Sequence, residues 1–349
     1  MRLPLRARAL GFLRARLGGS VADLPPEEVP AARQRSGRIQ AGPAGRAIVG
    51  SHDRRVVVED TVVTTPEAVL PVRVYRPPQT ATVPAPLVVN FHGGGYVQGD
   101  LDQSDWFCGQ VALLSGAVVV SVDYRLAPEH PFPVPAQDAY AATAALAAEP
   151  GRWGIDATRI GVIGDSAGGN LATVVCLMAR DARRRGEDAP AVGVQALVYP
   201  GTEMIDVLPS ERAIPFAPIL DASDIRGFVR LYLAGADGTV PYASPLRADL
   251  TDLPPAVVQT AEHDPLRDHG TFYVDALRRA GVAVRHTEYQ GAPHGYISMP
   301  RLLPAVAHQA AWEVADTVRA EIGAEAAPAA AAAPAAPAVR ERSAPGRSG

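Results

Sequence analysis

The sequence contains no lysine: all 33 of its basic residues are arginine, set against 37 aspartates and glutamates for a formal net charge of −4. Without a side-chain amine the chain cannot form a Schiff base with a carbonyl substrate or with pyridoxal phosphate. Nor can it complete a phosphate-binding loop ending in Gly-Lys-Ser/Thr, or supply a Ser-Lys dyad. Arginine carries the surface charge equally well. Cysteine is nearly as scarce. Cys108 and Cys176 give neither a disulfide framework nor a zinc cluster, and in helix-like stretches they read as small buried hydrophobes. The eight histidines include no His-Glu-x-x-His pair, so no metal is expected. No run approaches the roughly 18 apolar residues of a membrane span. Arg14 and Arg16 interrupt the apolar stretch 9–13 before it reaches signal-peptide length. The nearly balanced charge offers nothing to nucleic acid. A soluble, cytoplasmic protein without stable membrane insertion is the expectation.

At 349 residues, one large α/β domain or two small ones are both allowed. Three parts are expected. Residues 1–52 carry five arginines before the first acid, Asp23, then a proline-rich loop at 24–30. The opening 20 residues read as an amphipathic helix lying on its own domain with arginines facing water. Residues 53–323 alternate strand-like and helix-like stretches. Strands are expected at 56–64, 70–76, 87–92, 117–123, 159–164, 193–199, 256–261 and 282–289. Helices are expected at 102–114, 135–148, 167–183, 222–233, 268–280 and 302–322. The first two strands, separated by Pro66-Glu67-Ala68, suggest an antiparallel hairpin. The later β-branched runs suggest a mostly parallel sheet covered on both faces. Between Tyr199 and Ala256 lie more than 50 residues with one convincing helix, so the interval at about 200–235 reads as a cap insertion. Residues 324–349, rich in alanine and proline, read as a disordered tail.

The strongest chemical signal is Gly164-Asp165-Ser166-Ala167-Gly168-Gly169-Asn170, which follows a strand and opens a helix. Small residues around Ser166 let the backbone turn sharply and lift its hydroxyl clear of the sheet. The next N–H, from Ala167, then points at a developing oxyanion, and the helix N-terminus adds a positive field. A dinucleotide loop would need Gly-x-Gly-x-x-Gly, which is absent, and no cofactor is implied. Upstream, His92-Gly93-Gly94-Gly95-Tyr96 follows another strand and can turn successive N–H groups toward one point. A serine nucleophile also needs a base and an acid. His294, in a loop before the last helix, is the candidate base. Asp264 is the candidate acid, with Asp268 competing but reading better as a helix cap. His263 and His269 compete as bases, yet each sits beside the acid in sequence.

With these motifs in place the chain resembles the hormone-sensitive lipase branch of the α/β-hydrolases, specifically its bacterial carboxylesterases. The matching residues are His92-Gly93-Gly94-Gly95, the block from Tyr124-Arg125-Leu126-Ala127-Pro128 to Pro133, Gly164 to Asn170, Asp264-Pro265-Leu266-Arg267-Asp268 and His294-Gly295. The resemblance implies an eight-stranded α/β-hydrolase fold with a helical cap built from the N-terminal segment 1–52 and the 200–235 insertion. It also implies a Ser166, Asp264, His294 triad and oxyanion donors at Gly93, Gly94 and Ala167. The expected activity is hydrolysis of short to medium acyl esters. A deacetylase or amidase would share the triad, and a non-catalytic ligand-binding member of the fold would have lost it. Tyr96, Trp106, Phe107, Phe216, Ile219 and Leu220 are candidates to line the substrate approach, each also readable as core or cap packing. Tyr296 stands where phenylalanine is usual, and its hydroxyl is expected to add a polar contact there. The expected partner is a small-molecule ester, and a homodimer is allowed.

Overall fold

The computed structural model describes residues 20–78 and 84–323. Eight strands form one sheet in the order β1-β2-β4-β3-β5-β6-β7-β8. They are β1 (Val57–Thr64), β2 (Val69–Arg76), β3 (Ala85–Phe91), β4 (Val118–Val122), β5 (Ile155–Asp165), β6 (Val192–Val198), β7 (Ala256–His263) and β8 (Val284–Pro293). The β1–β2 hairpin is antiparallel and joins β4 antiparallel, while every later pairing is parallel. Every residue of β3 and β4 is buried. That is why they read as unbroken apolar runs: a central parallel strand has helices on both faces. The edge strand β1 instead leaves most of its residues exposed.

Ten helices follow in chain order among the described residues: α1 (Val29–Ala41), α2 (Pro43–Val49), α3 (Asp105–Ser115), α4 (Val134–Ala148), α5 (Pro150–Trp153), α6 (Ala167–Arg184), α7 (Pro209–Ala213), α8 (Ala222–Leu233), α9 (Arg267–Arg279) and α10 (Pro304–Ile322). Helices α4, α6 and α9 build the core on one face of the sheet. Helices α3 and α10 build it on the other. Both cysteines are buried and free. No described helix is long and apolar enough to cross a membrane.

The segment at 24–30 is not a plain loop. Short 3-10 turns at Val21–Asp23 and Pro26–Glu28 lead into α1, where Pro30 occupies the first turn. Proline suits that position because its missing N–H would have no intrahelical partner. The expected helix in the first 20 residues and the expected tail at 324–349 lie outside the described residues. Ala22 packs so closely on α8 that a Cβ at Gly227 would lie 2.3 Å from its carbonyl oxygen. Arg230 donates to that same oxygen at 3.1 Å. The N-terminal segment and the 200–235 insertion are thereby joined over the carboxyl ends of the strands.

Candidate active site

Ser166 stands between β5 and α6 with φ 55° and ψ −117°, a strained conformation for a residue with a side chain. Its neighbours make the turn sterically feasible. A Cβ at Gly164 would lie 2.3 Å from the Gly168 carbonyl oxygen, and one at Gly168 would lie 1.9 Å from that of Phe91. Both contacts are with backbone, so neither glycine can be replaced without moving a strand or the helix. The Ser166 carbonyl accepts N–H bonds from Asn170 and Gly201, which pins the turn on its far side.

Three sequence-predicted residues converge here. Ser166 Oγ lies 3.0 Å from His294 Nε2, and His294 Nδ1 lies 2.7 Å from Asp264 Oδ2. All three are buried. Asp264 Oδ1 accepts the Leu266 N–H at 2.8 Å, leaving Oδ2 for the imidazole. With a carboxylate as acceptor, Nδ1 carries the proton and Nε2 is free to accept the serine O–H. Asp268 does not cap α9, which has no side-chain cap; its carboxylate accepts from Arg267 instead. His269 reaches the pocket wall, but its Nδ1 faces the Thr202 and Glu203 N–H groups and its Nε2 faces Glu211. That leaves it no nitrogen to serve as a base.

The glycine loop corrects one expectation. The Gly93 N–H is not available for an oxyanion, because it donates to Asp165 Oδ1 at 2.8 Å. Gly94 and Gly95, by contrast, line the cavity beside Ala167, and Gly93 does not. No hydrogen bond among the described residues uses the N–H of Gly94, Gly95 or Ala167. Gly95, part of the expected glycine run but not of the donor set that the resemblance implied, therefore stands where Gly93 was expected. Its φ of +62°, and a Phe228 ring only 2.4 Å from where a Cβ would sit, explain the glycine. Asp165 also went unread. Burial pushes its carboxyl above the usual range, against the bonds from Gly93 N–H and the Tyr199 hydroxyl. Tyr199, at φ 38°, packs its ring 4.5 Å from that of His294.

The triad opens into a cavity of about 590 Å³. Its walls include Ile39, Ile48 and Val49 from the N-terminal helices and Ile219, Leu220, Ile225 and Phe228 from the insertion. Tyr96 lines it as expected, stacked on Tyr232 at 3.7 Å. Trp106, Phe107, Phe216 and Tyr296 do not. Trp106 and Phe107 are buried on the α3/α10 face, where Trp106 meets the His308 ring edge-on. Phe216 is 84% exposed. Tyr296 is fully buried behind the site, its hydroxyl donating to Gln259 Oε1 at 3.3 Å rather than facing a substrate.

A family model described as the alpha/beta hydrolase fold matches residues 88–298. Esterase LipI of Mycobacterium tuberculosis is 44% identical over 252 residues, 71% of this chain and 77% of that protein. The ethyl acetate hydrolase of Pseudomonas putida is 36% identical over 270 residues, 76% of this chain and 84% of that protein. Among solved structures, a hyperthermophilic esterase from the archaeon Pyrobaculum calidifontis superposes with a TM-score of 0.81 at 38% identity. That match covers 93% of this chain and all of the other. The chain belongs to the α/β-hydrolase family. Within that family it is a bacterial carboxylesterase of the hormone-sensitive lipase branch.

Proposed function

We propose that the protein hydrolyses carboxylic esters through an acyl-enzyme on Ser166. The observation that carries this reading is the unbroken chain from Ser166 Oγ to His294 Nε2 at 3.0 Å and from His294 Nδ1 to Asp264 at 2.7 Å. His294 takes the serine proton as Oγ attacks the ester carbonyl. Asp264 holds the tautomer and stabilises the imidazolium. The N–H groups of Gly94, Gly95 and Ala167 receive the oxyanion. His294 then protonates the departing alcohol, and a water repeats the sequence on the acyl-enzyme.

The N-terminal helices and the 200–235 insertion serve as the cap, and their apolar side chains form the wall against which the substrate rests. A cavity of about 590 Å³ lined by Leu220, Ile225 and Phe228 supports short to medium acyl chains over long ones. Across a series of p-nitrophenyl esters, turnover is expected to peak at or below about ten acyl carbons. A maximum at longer chains contradicts this choice of substrate. Ser166→Ala is expected to lower ester turnover on the order of 10⁵- to 10⁶-fold while leaving the melting temperature near wild type. Wild-type rates in that variant would refute the nucleophile assignment.

A further inference from the structure

We propose that Ser210, supported by Glu211, is a positioning residue for the acid of the triad, so that the insertion aligns Asp264 as well as enclosing the pocket. The inference rests on the triad reading above. Ser210 lies on α7 and is fully buried. Its hydroxyl donates to the Pro265 carbonyl at 2.6 Å and accepts the Asp268 N–H at 3.0 Å. Both groups follow Asp264 directly: Pro265 is the next residue of its turn, and Asp268 is the first residue beyond it. Within the turn, Asp264 accepts the Leu266 N–H through Oδ1 and the Arg267 N–H through its carbonyl. One serine from the insertion therefore ties the residue next to Asp264 to the start of α9.

Glu211 extends the contact to α9. Its Oε1 accepts the Leu208 N–H at 2.9 Å and lies 3.3 Å from His269 Nε2, while Oε2 pairs with Arg226 of α8. His269 in turn receives the Thr202 and Glu203 N–H groups at Nδ1. The insertion and the acid turn thus share a network of polar groups, buried apart from Arg226, each with a partner. Such a network holds one geometry, because an alternative arrangement leaves desolvated groups unpaired. Asp264 meets His294 through a single oxygen, so a small rotation of the turn lengthens that bond directly. Displacements near 1 Å away from the reacting atoms are enough to slow an enzyme about 100-fold. Ser210 touches neither substrate nor reacting atoms, and its effect passes through Asp264.

The test compares wild type with Ser210→Ala, Ser210→Thr and Ser244→Ala, using kcat and KM on one p-nitrophenyl ester. Active sites are counted by titration with an organophosphonate. Ser210→Ala is expected to lose about tenfold in kcat per titrated site, the rate equivalent of one or two hydrogen bonds. KM is expected to stay within about twofold. Ser210→Thr, which keeps the hydroxyl, is expected to restore most of the rate. Ser244 is a second buried serine between β6 and β7, donating to the Gly238 carbonyl and accepting the Met204 N–H, with no bond to the acid turn. Its alanine variant is expected to melt earlier yet keep its kcat. If Ser210→Ala does not fold, Ser210→Cys, a weaker donor in the same position, reads the same quantity. Unchanged kcat in the folded Ser210 variant, or an equal loss in Ser244→Ala, overturns the proposal. Wild-type turnover without labelling at Ser166 would instead refute the triad reading itself.

Discussion

Arg33 illustrates how a chain without lysine uses the guanidinium plane. From α1 it donates Nε to the Val97 carbonyl at 2.7 Å and Nη2 to the Ala127 carbonyl at 2.6 Å, and it pairs with Glu129 at 3.0 Å. Val97 lies two residues beyond Gly95, so the N-terminal helix steadies the glycine loop. A lysine ammonium is a compact charge that cannot span three directions in one plane. Arg33→Lys is expected to cost about 1–3 kcal/mol, measured by urea unfolding. Asp165 has the same loop from the other side. Asp165→Ala leaves the Gly93 N–H unpaired, and a loss of about tenfold or more in kcat is expected from steady-state kinetics. Asp165→Asn keeps an acceptor oxygen and is expected to lose much less. In sequence, Gly93, Gly94 and Gly95 are indistinguishable. Which N–H groups remain for an oxyanion is decided by a carboxylate 72 residues downstream, a contact that no local pattern encodes. Ser166, Asp264 and His294 were legible because each stands in a turn whose composition carries the chemistry.

At the scale of elements, the central strands were legible because burial on both faces leaves no choice but β-branched and apolar runs, as in β3 and β4. Helices α1 and α2 were not. Their interiors carry Gly37 and Gly45, poor helix formers, and α1 is held in place by Arg33. The direction in which an aromatic faces was equally hidden. Trp106 and Phe216 have the composition of pocket walls, yet one belongs to the far core and the other to solvent. The loop after β6 offers a pH test of element packing. Glu203 pairs with Arg247 and accepts the N–H groups of Ile205 and Asp206. Burial pushes its carboxyl up, but these partners outweigh burial and hold it below the usual glutamate value. A lowered folded-state value means stability that is complete above the unfolded value of about 4.5 and lost as pH falls through the folded one. The margin of wild type over Glu203→Gln is therefore expected to be about 1.5–3 kcal/mol near neutrality. It should shrink in unfolding titrations carried below about pH 4.5.

Across the whole molecule, the parallel order of β5, β7 and β8 brings their carboxyl ends to one edge, where Ser166, Asp264 and His294 meet although Ser166 and His294 are 128 residues apart. Ligand sites in open α/β sheets form at such edges. The N-terminal helices and the insertion line the space above, a long-range pairing that the family resemblance implied and that neither stretch encodes locally. Acylation of a single serine, Ser166, is open to one direct measurement. Wild-type protein is treated with an organophosphonate ester until hydrolysis of a p-nitrophenyl ester stops, then digested and mapped by mass. One adduct per chain, on the peptide bearing Ser166 and in proportion to the activity lost, is the predicted result. Full loss of activity with the adduct on any other residue, or full activity with Ser166 modified, would contradict it.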